Sequence, residues 1–271
     1  MSEVPMGSRD DVLTGGGTGG VTSSPMAFPI PAEELGTVSI VPNGSFEAGS
    51  YQTFVLTYVA GKFGIDDSGS MRVCFRFASD QTRPQFEDPK GPNYTTIEAS
   101  NNAVLTYHYD PKGNVRPWDR TLYIKVVRGF LREGDKITIT FGDRSGGSPG
   151  MRLQTFCEDS YEFHTLIDPI ATYCYQPMPV QPVIKIIPGE PARYLAVAPT
   201  IRAIDESFSV KFKGEDKWGN PSDQCDIQLY PRASHPVQNL PDVISLKPGE
   251  FFGVIDGLSV TDAADLHIDF L

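Results

Sequence analysis

Met71-Arg72-Val73-Cys74-Phe75-Arg76-Phe77 alternates apolar and other residues without a break. A β-strand sends successive side chains to opposite faces, so Met71, Val73, Phe75 and Phe77 share one face and Arg72, Cys74 and Arg76 the other. The same two-residue period recurs in both directions. Thr37 to Val41 and Gln52 to Tyr58 precede it, and Ala103 to Tyr109, Thr121 to Val127, Lys136 to Phe141, Leu153 to Cys157 and Tyr161 to Ile167 follow. No segment sustains a helical period, and Ala32-Glu33-Glu34-Leu35 is the best candidate for a single turn. The pattern predicts an all-β chain.

Composition agrees. Sixteen Phe, 11 Tyr, 26 Gly and 23 Pro in 271 residues suit short strands joined by turns. Residues 37–175 are expected to form a jelly-roll-like β-sandwich. Gln176-Pro177-Met178-Pro179-Val180-Gln181-Pro182 reads as a Pro-rich linker. Residues 183–271 then fit the size of an immunoglobulin-like β-sandwich. Its last strand is expected at Ala264 to Phe270, where Ala264, Leu266, Ile268 and Phe270 alternate with Asp265, His267 and Asp269.

Residues 1–36 read as a flexible Gly/Pro-rich arm. Gly15 to Gly20 cannot build a core, and Pro25, Pro29 and Pro31 resist regular structure. A sharper reading has the arm crossing a neighbouring subunit of a homo- or hetero-oligomer on Met26, Phe28 and Ile30.

The formal charge of −11 and the absence of a Lys/Arg run argue against nucleic acid. No stretch approaches the ~20 apolar residues of a spanning helix, so no membrane partner is expected. The polar start lacks an apolar signal region, which makes the cytoplasm the expected location. Cys74, Cys157, Cys174 and Cys225 have no CxxC spacing and are expected to be buried small hydrophobes.

No catalytic or metal site emerges. His108, His164, His235 and His267 lie far apart, and no G-x-S-x-G, H-x-H or H-E-x-x-H occurs. Asp265, His267 and Asp269 share a strand face, which reads better as a solvated edge than as a cation site. Asp66-Asp67 and Glu158-Asp159 are adjacent, so each pair points to opposite faces. The stretch that stands out is Gly142-Asp143-Arg144-Ser145-Gly146-Gly147-Ser148-Pro149-Gly150-Met151-Arg152, with four glycines and two arginines in 11 residues. Its amides could form an anion nest beside Arg144 and Arg152, or its glycines, Gly146, Gly147 and Gly150, could admit a partner surface. The docking reading is preferred. The 79–102 loop and the loop around Trp118 would complete the contact surface.

Several segments together carry a family likeness. They are Gly134 to Ile139, Gly142 to Phe156, Asp168-Pro169-Ile170-Ala171-Thr172 and Asp216-Lys217-Trp218-Gly219-Asn220-Pro221. Over roughly residues 37–271 the chain resembles the amino-terminal β region of a large bacterial family of unknown function. Members of that family carry a carboxy-terminal PHP-like metal-dependent hydrolase domain opening with a His-containing metal motif. This chain reaches Leu271 without that motif. The resemblance therefore implies no cofactor in this chain and a divalent metal in a catalytic partner domain or subunit. It transfers no metal ligand to any position here.

The chain is accordingly expected to be a fragment, or a subunit of a split enzyme: a non-catalytic scaffold that shapes a hydrolase active site. One alternative is a ligand- or carbohydrate-binding module using Tyr94, Tyr107, Tyr109 and Trp118. Another is a stand-alone enzyme that holds a small acidic substrate with Arg72, Arg76 and a histidine.

Overall fold

A computed structural model describes residues 30–271. The chain is all-β, built of several small, mostly antiparallel sheets. The one helical turn at the expected place is the 3-10 turn Ala32–Glu34.

The chain divides into two compact units. The first holds the described residues up to Gly44, with Ser50–Gln154 and Ser160–Ile184. The second holds Ser45–Gly49, Thr155–Asp159 and Lys185–Leu271. Residues 45–49 and 155–159, which the sequence reading placed in the first sandwich, thus belong with the second unit.

The first unit contains a four-stranded and a five-stranded sheet. The four-stranded sheet runs Gly36–Val41, Phe54–Ala60, Lys136–Phe141, Thr96–Ala99. The five-stranded sheet runs Gln176–Pro177, His164–Asp168, Ser70–Phe75, Arg120–Arg128, Val104–Asp110. The alternation at Met71, Val73 and Phe75 does put these three in the core, at 0 to 1% exposure. Phe77 lies past the strand end and is exposed.

Rings from both sheets meet there. Phe75 packs edge-on against Phe141 at 5.8 Å and against Phe163 at 5.6 Å, and Phe163 also meets Phe54 at 5.6 Å. Tilted and edge-to-face contacts of this kind are the favoured aromatic geometry. They make the two sheets the layers of a sandwich.

The second unit contains the sheet Arg193–Val197, Phe208–Glu215, Gly253–Leu258 and two smaller pairs, Ile227–Leu229 with Ile244–Leu246 and Pro231–Ala233 with Ile268–Phe270. Val210, Phe212, Cys225, Leu246, Ile255 and Leu258 form its core. A parallel pairing adds Lys185 to Ile187 beside Ser45 to Glu47.

The Asp216 turn explains why 45–49 and 155–159 join this unit. Asp216 Oδ1 accepts the amides of Trp218 (2.8 Å) and Asn220 (2.9 Å), which closes the turn. Asn220 Nδ2 then donates to the Thr155 carbonyl at 2.9 Å, and the Cys157 amide donates to Asn220 Oδ1 at 3.1 Å. The Trp218 indole reaches the other segment.

Several strands end sooner than the alternation suggested. Leu153 to Cys157 is not a strand; the ladder stops at Met151–Arg152, which pairs with Tyr51–Gln52. Tyr161 to Ile167 divides at Phe163 into Glu158–Glu162 and His164–Asp168. Of Ala264 to Phe270, the strand is Ile268–Phe270. In the Pro-rich 176–182 stretch, Gln176–Pro177 pairs on the edge of the five-stranded sheet and Met178 is buried. An edge position leaves Pro without an unmade ladder bond.

Met26, Phe28 and the rest of 1–29 lie outside the described residues. Ile30 is buried, and its backbone exchanges two hydrogen bonds with the Gln176 side-chain amide, at 3.0 and 3.1 Å.

Candidate functional site

The Gly-rich loop leaves the strand Lys136–Phe141 and folds against the 79–102 loop of its own unit. The Asp143 amide donates to the Tyr94 carbonyl at 2.7 Å, and the Asn93 amide donates to the Gly150 carbonyl at 2.8 Å. A β-carbon at Gly146 would overlap Pro89, so only glycine allows this approach. Gly147 and Gly150 take φ of +99° and +107°.

Several of the loop's donors are used within it. The amides of Ser145, Gly147 and Gly150 go to Asp143, Arg144 and Ser148. The Ser145 bond holds the Asp143 carboxyl below the usual carboxylate range, against partial burial. Arg144 Nη2 donates to the Tyr51 carbonyl at 2.8 Å, and Arg152 Nη2 to the Asp80 carbonyl at 2.5 Å. Neither an open amide nest nor a free pair of arginines is therefore presented here.

The Arg72 face is the outer surface of the five-stranded sheet, and the strand registers organise it. Arg72 lies opposite Tyr123, and Tyr123 opposite His108. Two residues along, His164, Cys74, Thr121 and Asp110 form the next rung. A two-residue step returns to the same face, so both rungs project together.

Arg72 and Arg76 do not converge. The Arg72 guanidinium sits 3.7 Å above the Tyr175 ring and 5.7 Å from that of Tyr123. Arg76 lies beyond the strand end, 5.5 Å from the Trp118 ring. Trp118 stacks on His164 at 4.7 Å and 14°, and His164 Nδ1 meets Glu162 Oε1 at 2.6 Å. Burial pushes the Cys74 thiol up to about 11, despite hydrogen bonds with Thr121 and Asn114 and the charge of Arg72. It is thus a protonated structural thiol at neutral pH.

A cavity of 180 Å³ opens on this face, lined by Arg72, His108, Asp110, Thr121, Tyr123 and Tyr173. Arg72 was legible as a face residue. Asp110, Tyr123 and Tyr173 were not, because cross-strand register and a turn bring them in. The rings weighed as a stacking platform do not form one: Tyr107 packs on Phe86 at 4.8 Å and Trp118 on His164.

A large concavity lies in the second unit. It has a volume of 830 Å³ and an apolar floor that includes Ile187, Leu195, Val197, Phe251 and Phe252. Lys185, Lys211 and Lys213 line it beside Asp159 and Asp223. Lys185 pairs with Asp159 at 2.8 Å and Lys213 with Glu215 at 2.8 Å. The strand Arg193–Val197 is exposed at all five positions and pairs on one edge, with Phe208–Glu215. Val197 is 64% and Phe252 61% exposed. Sequence reasoning missed this groove. Nothing in the local sequence says that no layer covers Leu195 and Val197.

Of the cysteines, Cys74 and Cys225 are buried as expected, whereas Cys157 is exposed and Cys174 half-buried. Among the described residues, no group of three or more His, Cys, Asp or Glu side chains is placed to hold a metal ion. No described helix is long and apolar enough to cross a membrane. No family model matches the chain, and no curated protein sequence matches it.

Proposed function

We propose that this chain is a non-catalytic β scaffold, a jelly-roll-like sandwich followed by an immunoglobulin-like one, that docks on a PHP-like metal-dependent hydrolase domain and shapes its active site. The observation that carries this reading is the apolar groove beside the fully exposed strand Arg193–Val197. An open strand edge next to uncovered Leu195, Val197, Phe251 and Phe252 is a surface that favours a protein partner. Covering one such side chain fully contributes roughly 1.5–3 kcal/mol. An incoming strand could also pair with the free edge.

The divalent metal in this reading belongs to the partner. This supports moving the docking surface from the Gly-rich loop, whose donors are spent, to the second unit.

The test is a calorimetric titration of the chain with the purified PHP-like hydrolase domain from the same genome. Saturable binding at a fixed stoichiometry is expected, weakened about tenfold or more by Leu195→Glu or Phe252→Glu. Absence of binding overturns the reading. So does a purified chain that alone retains a stoichiometric divalent metal and hydrolyses esters.

A further inference from the structure

We propose that the 180 Å³ cavity on the outer face of the five-stranded sheet binds a small monocarboxylate that also carries a hydroxyl or ammonium donor, such as lactate or alanine, through Arg72 and Asp110. This proposal is independent of the docking reading.

Arg72 carries the argument. Its Nε is shielded from solvent and has no hydrogen-bond partner, and its guanidinium forms no ion pair or hydrogen bond among the described residues. Guanidinium is always charged and offers five donors in a planar fork that fits a carboxylate. Leaving such a group half-buried and unpaired is unfavourable. The Tyr175 ring beneath it, at 3.7 Å, recovers part of that cost and orients the plane, but uses none of the donors. Tyr175 is itself fixed by a 2.6 Å hydrogen bond between its hydroxyl and Ser70 Oγ.

The surroundings narrow the ligand. At 180 Å³ the cavity is below the ~300 Å³ at which drug-sized pockets begin, so it takes a small molecule. Asp110 lines the same cavity. Its Oδ1 accepts the Lys112 amide at 2.8 Å, and among the described residues no hydrogen bond goes to Oδ2. A carboxylate there repels a second negative charge and accepts a hydroxyl or ammonium donor. A small monoanion that also carries a donor suits this pairing of charges; a dicarboxylate or phosphate brings a second negative charge towards Asp110. His108 and Thr121 supply further polar edges, and Tyr123 an aromatic wall.

The rim is held in an unfavourable backbone conformation. Ala171 and Tyr173 take φ of +53° and +62°, in the left-handed region that is unfavourable for non-glycine residues. Asp168, 1% exposed, enforces it: Oδ1 accepts the Thr172 amide and hydroxyl, both at 2.9 Å, and Oδ2 accepts the Tyr173 amide at 2.7 Å. The result places Tyr173 on the cavity while 71% of it stays exposed. Strain of this kind, maintained by a buried carboxylate, is characteristic of ligand clamps.

The experiment is a saturation-transfer NMR and calorimetric titration of the full chain with lactate, alanine, succinate and inorganic phosphate. Lactate or alanine is expected to bind at one site per chain, about tenfold or more tighter than succinate or phosphate. Arg72→Met, which keeps the packing volume, should weaken that binding about tenfold or more while the melting curve shows a folded chain. Asp110→Asn should raise succinate and phosphate binding relative to lactate and alanine, a change in selectivity that a purely structural role would not produce. The proposal is overturned by no saturable binding of lactate or alanine to folded protein, by phosphate or succinate binding as tightly, or by Arg72→Met binding like the original.

Discussion

The indole Nε1 of Trp218 donates to the carbonyl of Ala48 at 3.0 Å, across 170 positions of sequence. The ring packs on the backbone of Gly49, where a β-carbon would lie 2.6 Å from it and where φ is +68°. Both segments belong to the second unit. Gly49→Ala should therefore destabilise the protein by about 1–3 kcal/mol, through overlap and backbone strain together. Trp218→Phe should cost about 1 kcal/mol for the lost hydrogen bond. Urea unfolding followed by circular dichroism checks both.

Asp216 links this turn to pH. Burial alone would raise its carboxyl, but hydrogen bonds from Asn220, Gly189 and Trp218 outweigh burial and hold it below the usual range. With the folded pKa below the unfolded one, the unfolded state binds more protons between the two values, so stability rises with pH there. The contribution is complete above the unfolded value of about 4 and fades as pH falls through the folded pKa. Asp216→Asn should lower stability at pH 7 and flatten its loss as pH falls below about 4, relative to the original chain. Urea midpoints across that range measure it.

Phe163 joins the two layers of the first unit, with ring contacts to Phe54, Phe75, Phe141 and Tyr161. Phe163→Ala should cost about 3–5 kcal/mol, and Phe163→Leu considerably less. Thermal melts distinguish them.

Cys74 should stay inert while the chain is folded. With its thiol at about 11, roughly one part in a thousand is thiolate at pH 8. Iodoacetamide followed by peptide mass spectrometry should label Cys74 only after denaturation. Rapid labelling of Cys74 in the folded chain would contradict the burial seen here.

Leu195→Glu and Phe252→Glu should leave the unfolding free energy from urea titration within about 0.5 kcal/mol of the original, because both side chains are substantially exposed. Their effect should appear in binding to the hydrolase domain alone. A large loss of stability would place them in the core and remove the groove.

The two-residue period by itself determined an all-β chain and which faces enter the core. Met71, Val73 and Phe75 alternate because their face meets the opposing sheet, and that period is written locally; that Cys74 on the other face is covered by Leu166 and Tyr175 is not. Where strands end was less legible. Leu153 to Cys157 has strand-like residues but no partner along its length. Pro177 sits in a sheet because its place on the edge demands no amide.

Three things were decided only by the tertiary structure. Residues 45–49 and 155–159 join the second unit through Trp218 and Asn220, by bonds that no local pattern records. The Gly-rich loop spends several amides within itself and its two arginines on carbonyls far along the chain. The row Arg72, Tyr123, His108, with Asp110 one rung away, exists because antiparallel register aligns three strands. Register depends on how whole strands pair, and a slip of one residue would turn each of these side chains to the other face.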